Sequence, residues 1–352
     1  MCTGVHEQGD NTADSVPCDR LRLLGITMGC PAGIGPEIIV RYYQRHIESR
    51  AYSPVVLGDP AVLARSADEL GLEVDIVRWQ PGEKVRERTL PVMPLSELGG
   101  KLQWGKPTLA TGKAMALYIE EAVRLLEADI LAGMVTCPIS KSALNLAGYR
   151  YPGHTEMLAA LCGCDDYAMM MAGKRLRVTL VTIHVGLAEV PSLLSVEKIF
   201  RLIEITGRSL QHDFGIENPR LAVAGLNPHA GEAGLFGAEE QHLIVPALAR
   251  AKACGWQAEG PFPPDTVFNR AAAGQYDAVV CMYHDQGLIP FKLLHFEDGV
   301  NVTLGLPIVR TSVDHGTAYD IAGLGKASPA SLAAAVDLAA KIAANRGRFA
   351  EK

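Results

Sequence analysis

The sequence predicts an α/β protein in which helices cover a mainly parallel sheet. Three observations predict it. Apolar, β-branched runs alternate with amphipathic helical patterns almost throughout, as βαβ units require. Three of the apolar runs lead into a histidine, at His184, His229 and His284. The intervals between them exceed the dozen or so residues that a crossover back to a parallel strand needs. The chain also opens on strand, glycine-rich loop and helix.

Composition narrows the class. The 352 residues are 48% hydrophobic and 20% charged, ordinary for a globular protein, and the length suits two domains or one large α/β unit with a cleft. With a net charge of −6, 6% aromatics and no basic run, nothing points to nucleic acid. An anionic ligand would have to be met by local cations. No apolar run approaches the ~18 residues of a membrane span. The first residues lack the basic start and apolar core of a secretory signal. Eight cysteines are scattered, and Cys162-Gly-Cys164 is the one close pair. A reduced, cytoplasmic protein is expected.

The polar, turn-rich residues 1–19 read as a disordered tail. Leu21 to Met28 is the first strand, and the loop Gly-Cys-Pro-Ala-Gly-Ile-Gly leads to a helix opened by Pro36 and Glu37. It is neither GxGxxG nor a P-loop. Pro54 to Pro60 and Val74 to Trp79 read as short strands around a helix, and residues 80–112 as irregular. Met115, Ile119, Val123 and Leu126 define one face of a helix from Lys113 to Ala128, followed by a strand from Ile130 to Val135.

Farther on, a helix is expected over Glu156 to Leu161. Two strands are expected around the Gly173-Lys-Arg turn, the second running to His184, and a helix over Val196 to Asp213. The stretch Leu221 to His229 reads as a strand turning through Asn-Pro. Glu239 to Gly255 reads as a helix broken near Pro246, and Gly260 to Phe268 as a loop delivering Asp265. Ala278 to Cys281 is a buried strand, after which Gly287 permits a turn and Pro290 stops any helix. Two more strands, over Val300 to Gly305 and Ile308 to Val313, precede the Asp314-His-Gly316 turn. A last helix covers Ser331 to Asn345, with Gly347 suited to end it.

The candidate site follows from strand ends, where open α/β sheets place ligands. One strand-end histidine is as often a satisfied structural residue as a ligand. Three of them offer an imidazole set that would leave a catalytic metal one open position. Asp285 and Lys292 follow His284 closely. His154 and Thr155 lie between a Pro-Gly turn and a helix. Thr155 is by default a cap, but the helix start can also bind an anion, with His154 as a further donor.

These motifs resemble the 4-hydroxythreonine-4-phosphate dehydrogenase family of pyridoxal phosphate biosynthesis. The resemblance rests on ITMGCPAGIGPE, VTCPISKSAL, GYRYPGHTE, VTIH, LNPHAGEAGLFGAEE, PPDTVF, MYHDQGLIPFK and VNVTLGLPIVRTSVDHGTAYDIAG, in that order over roughly residues 22–326. It implies a fold like that of isocitrate and isopropylmalate dehydrogenases, with two α/β/α subdomains around a central cleft. The expected division is 20–135 plus 311–352 for the first subdomain and 136–310 for the second, which carries the metal and substrate residues.

The resemblance also implies a divalent metal (Zn, Co, Mn or Mg) held by His184, His229 and His284. It implies substrate contacts from His154, Thr155, Lys292, Asn301 and Arg310, NAD or NADP as oxidant, and a homodimer with its active site at the interface. Lys292 and Asp285 are the catalytic candidates. The implied reaction is oxidation of 4-phosphohydroxy-L-threonine, whose product decarboxylates to 3-amino-2-oxopropyl phosphate. Cys30 stands where many relatives carry an acid, which keeps 4-phospho-D-erythronate and 4-phospho-D-threonate as alternative substrates. From the residues alone, a three-histidine metal hydrolase using Asp265, Asp285 or Glu232 is the alternative of a different class.

Overall fold

The computed structural model describes residues 22–45, 52–99 and 102–350. The tail expected over 1–19 lies outside them. The chain begins with β1 (Arg22–Thr27), α1 (Gly35–Arg45), β2 (Tyr52–Gly58), α2 (Pro60–Glu69), β3 (Ile76–Arg78), β4 (Leu90–Pro94), α3 (Leu109–Glu127) and β5 (Leu131–Thr136). It continues through α4 (Lys141–Leu146), α5 (His154–Leu161), β6 (Ala168–Ala172), β7 (Arg177–Leu180), α6 (Val190–Leu193), α7 (Val196–His212), β8 (Arg220–Ala224), α8 (Val245–Ala253), β9 (Gln257–Phe262) and α9 (Pro264–Ala272). It ends with β10 (Ala278–Cys281), α10 (His284–Leu294), β11 (Val300–Leu304), β12 (Arg310–Val313) and α11 (Ala330–Ala350).

One 12-stranded sheet carries everything, in the order β3-β4-β2-β1-β5-β12-β11-β6-β7-β10-β8-β9. From β3 to β12 all pairings are parallel. Then β12–β11, β11–β6 and β6–β7 are antiparallel, and β7, β10, β8 and β9 are parallel again. Three reversals in succession leave the two parallel blocks running in opposite directions. The fold is therefore α/β with a mixed sheet.

Local chemistry explains the joints. Gly29 has φ +70, and a Cβ there would lie 2.4 Å from the carbonyl of Pro138. Only glycine lets the loop after β1 pack against the loop after β5. Asp59, wholly buried, caps α2 through Ala61 N and Val62 N and also accepts from Ser96 and Leu98 N.

The structure corrects several expectations. Leu90–Pro94 is a strand within the stretch read as irregular, because its neighbours β2 and β3 supply the hydrogen bonds. The loop expected over 260–268 is the end of β9 and the start of α9. The strand expected to reach His184 stops as a ladder at Leu180, although Val181 N still donates to Cys281 O. Helix α11 runs past Gly347.

The most consequential correction is α10, which passes through Pro290 without ending. Proline withholds one N–H from the helix ladder, but both flanks are tied down. Gln286 accepts from Met282 N and donates to Gly225 O; at the far end buried His295 meets Asp298 and Arg175 N. Phe291, also fully buried, packs with Val178, Leu180, Val279 and Cys281 of β7 and β10. Replacing it with alanine is expected to cost about 3–5 kcal/mol. A drop of that size in the urea-unfolding free energy checks the assignment of Phe291 as the anchor of α10.

Candidate active site

The strands β7, β10 and β8 lie side by side and parallel. His184, His284 and His229 follow their C-terminal ends, so all three come to one end of this block. They do not converge in one chain. The rings of His184 and His284 are 5.7 Å apart, whereas His229 sits against Phe236 at 6.1 Å. Among the described residues no group of three or more His, Cys, Asp or Glu side chains is placed to hold a metal ion.

Each histidine has its own setting. His284 is the first residue of α10, and its Nδ1 lies 2.7 Å from Asp285 Oδ1. A carboxylate on one ring nitrogen orients the ring and leaves Nε2 available as a ligand. His184 is exposed, yet partial burial, Lys141 and His284 hold its pKa below the ordinary imidazole value. His229 stands in a turn, Pro228–Gly234, in which five consecutive residues from His229 to Ala233 have φ between 41 and 79. Four of these are not glycine, and each left-handed residue of that kind costs about 1–2 kcal/mol.

A second group lies on the sheet face around β12. Arg310 is 3% exposed, with Nε and Nη2 donating to Thr136 Oγ1 and Nη1 to Thr303 Oγ1. Burial lowers its pKa to about 10, with Glu156 opposing. No carboxylate among the described residues forms an ion pair with it. Hydroxyls take three of its five N–H donors without neutralising its charge, and a buried charge without a partner is costly. His154 is nearby: its Nε2 is buried with no hydrogen-bond partner, and burial followed by the Arg310 charge drives its pKa well down. Asn301 Oδ1, on β11, is likewise buried and unpartnered. Unsatisfied buried polar atoms of this kind ask for a partner, which a bound water or a ligand can supply. Thr155 is the second residue of α5, whose cap Gly153 supplies no side chain, so its first N–H groups stay open to an anion.

Lys292 completes the group from α10. Its Nζ is 2.5 Å from Asp314 Oδ2 and donates to Asp314 O at 2.9 Å. Burial raises the Asp314 pKa, while Lys292, His315 and His284 pull it back. Eight residues of helix separate His284 from Lys292, about 12 Å at 1.5 Å per residue, so α10 spans the region from the histidines to this ion pair. Pairwise interactions thus link His154 to Arg310, Lys292 and His284 to Asp314, and His184 to His284, whereas His229 packs on Phe236. Sequence reasoning missed Asp314, Thr136 and Thr303. Asp314 read as a turn residue, and no spacing marks two threonines on distant strands as partners of one arginine.

The glycine-rich loop does not enter this group. Cys30 is wholly buried, and its thiol accepts from Tyr319 at 3.3 Å. The polar groups around it are Tyr319, Thr111 and the backbone of Ala32 and Gly33. None of them is a candidate substrate residue.

With these residues placed, the chain can be compared with known proteins. The family profile of the pyridoxal phosphate biosynthetic protein PdxA matches residues 50–339. This chain belongs to the PdxA family. A 4-hydroxythreonine-4-phosphate dehydrogenase from Desulfosudis oleivorans is 55% identical over 333 residues, covering 93% of this chain and 97% of its own. One from Geobacter metallireducens is 52% identical over 328 residues, covering 92% and 96%. The crystal structure of the Klebsiella pneumoniae 4-hydroxythreonine-4-phosphate dehydrogenase superposes with a TM-score of 0.83 at 41% identity, covering 92% of this chain and 99% of that one. Membership in the PdxA family sets aside the metal hydrolase.

The depressed histidines have a measurable consequence. Burial first, and neighbouring cations second, lower His154 and His184, and burial lowers His315. Below the ordinary value of about 6.5, the unfolded chain then binds more protons than the folded one. Stability is expected to be intact above about pH 6.5 and to fall as pH drops below it. His154→Gln should flatten part of that slope. Urea midpoints at pH 7 and pH 5 for both proteins check this, and equal slopes would contradict it.

Proposed function

We propose that this chain is a 4-hydroxythreonine-4-phosphate dehydrogenase, oxidising 4-phosphohydroxy-L-threonine with NAD or NADP. The observation that carries the reading is the buried, unpaired charge of Arg310 beside the open polar atoms of His154 and Asn301. A phosphorylated hydroxy acid brings the charge that this cluster lacks. Arg310, His154, Thr155, Asn301 and Lys292 would hold its anionic ends, Arg310 by the planar donor geometry suited to phosphate or carboxylate. The burial of Cys30 removes the ground for preferring 4-phospho-D-erythronate or 4-phospho-D-threonate.

A divalent metal fits the donor chemistry of His184, His229 and His284. Two imidazoles sharing one tetrahedral ion place their ring centres about 5 Å apart, close to the 5.7 Å between His184 and His284. Nitrogen ligands favour zinc or cobalt over magnesium or manganese. When bound, the ion would polarise the substrate hydroxyl and ease its proton loss. Asp285 keeps the His284 ring oriented and is a candidate to take that proton; Lys292, the other candidate, would take it only as the neutral amine. Asp314 keeps the Lys292 side chain in place. NAD or NADP, when bound, would supply the hydride acceptor, and the resulting 3-oxo acid would lose CO2 to leave 3-amino-2-oxopropyl phosphate.

The same reading calls for a homodimer. Ile289, Leu293 and Phe296 are 67%, 85% and 78% exposed on and just beyond α10, beside His284 and Lys292. A contiguous apolar surface of this kind is ordinarily covered. A second copy there would close the site and could supply the third histidine. The strands of 22–136 with β12, and those of 168–304, would form the two subdomains. No described helix is long and apolar enough to cross a membrane, and the described cysteines are free, which suits a cytoplasmic enzyme.

Initial rates of NAD and NADP reduction test the proposal, with 4-phosphohydroxy-L-threonine and 4-phospho-D-erythronate compared side by side. The threonine derivative should turn over faster, and a chelator should abolish the rate. His229→Ala should lower kcat/KM at least about 100-fold. Arg310→Lys should raise KM by about 10–100-fold through loss of the paired donors. No reduction of either cofactor by metal-loaded protein would sink the reading.

A further inference from the structure

The left-handed turn that carries His229 is held by a buried carboxyl group that belongs to neither the substrate nor the metal residues. Glu240 is 2% exposed. Its Oε1 accepts from Leu226 N at 2.8 Å and Asn227 N at 2.7 Å, and its Oε2 accepts from Asn227 Nδ2 at 3.0 Å. Asn227 Nδ2 also donates to Glu239 Oε2 at 2.8 Å. These contacts seize the two residues immediately before Pro228, where the turn begins.

The fit is close on the other side too. A Cβ on Gly231, inside the turn, would lie 2.6 Å from Glu240 Oε2. Glu240 also opens a single π-helical turn, Glu240–Ile244, a distortion that recurs at functional sites. The grip extends to the second histidine. Gly225 O, one residue before the seized pair, accepts from Gln286 Nε2 at 2.7 Å, two residues after His284.

We propose that Glu240, acting with Asn227, is a positioning residue that holds the left-handed turn and thereby fixes where His229 stands at the end of the parallel block. The inference rests on the metal reading above. A run of left-handed residues does not persist without being over-determined by its surroundings, and Glu240 and Asn227 are the side chains that determine this one. Glutamine at 240 cannot keep all three acceptances, because one of its terminal atoms must present N–H to another donor.

The test is Co(II) binding to the full-length protein, followed by titration calorimetry and the ligand-field absorption spectrum. Amide hydrogen exchange of the metal-free protein accompanies it. Glu240→Gln is expected to weaken Co(II) binding by about 10–100-fold and to alter the spectrum, as loss of an outer partner of a metal ligand does. It should also speed exchange at residues 226–234 and leave β7 and β10 unchanged. Adding Ala230→Gly should recover part of the affinity, since glycine takes the left-handed conformation freely. If Glu240→Gln does not fold, Asn227→Ala carries the same comparison. Wild-type affinity and spectrum in the folded variant would overturn the positioning role and leave the metal reading standing. A wild-type protein that takes up no Co(II), or His229→Ala binding it normally, would instead overturn the metal reading.

Discussion

A guanidinium with no ion-pair partner among the described residues sits at the seam of the sheet. Arg310 reaches Thr136 on β5 and Thr303 on β11, so three hydrogen bonds from its guanidinium tie together three adjacent strands where the sheet changes direction. Its neighbours are arranged around that charge. His154 stays neutral beside it, Asn301 faces the same side of β11 as Thr303, and α5 points an uncapped N-terminus into the region. A core built only for stability would have paired Arg310 or replaced it with an apolar residue.

Helix α10 does the complementary work. It starts at His284, packs Phe291 on β7 and β10, presents Lys292 to Asp314 and ends on buried His295. One rigid element therefore sets the distance between the histidine end and the cationic end of the site. Rigid elements hold such distances better than loops. That is also why Pro290 is tolerated: its missing hydrogen bond matters less than the contacts at both ends of the helix.

Much of this was legible in the residues. Alternating strands and helices, and histidines after three apolar runs, were enough to place His184, His229 and His284 at one end of a parallel block. What escaped has particular causes. Leu90–Pro94 is a strand only because β2 and β3 flank it, and its own sequence, with a proline at each end of a short apolar core, favours none. The seam threonines and Asp314 acquire meaning from strand pairings distant in sequence. The left-handed turn at His229 is imposed by Glu240, so Ala230 and Ala233 carry no hint of it. The Cys30 departure looked significant by position, yet the side chain points into the core.

The position of β12 between β5 and β11 has a consequence for the growing chain. Arg310 is 174 residues beyond Thr136. At ~5–20 residues per second, a ribosome needs roughly 10–35 s to bridge that gap. Throughout it, β5 offers a bare, apolar edge of backbone donors and acceptors, the kind of edge that recruits stray strands. The N-terminal block cannot finish its own sheet until the rest of the protein has been made. Nascent chains caught between the two events are the natural clients of a chaperone that shields strand edges.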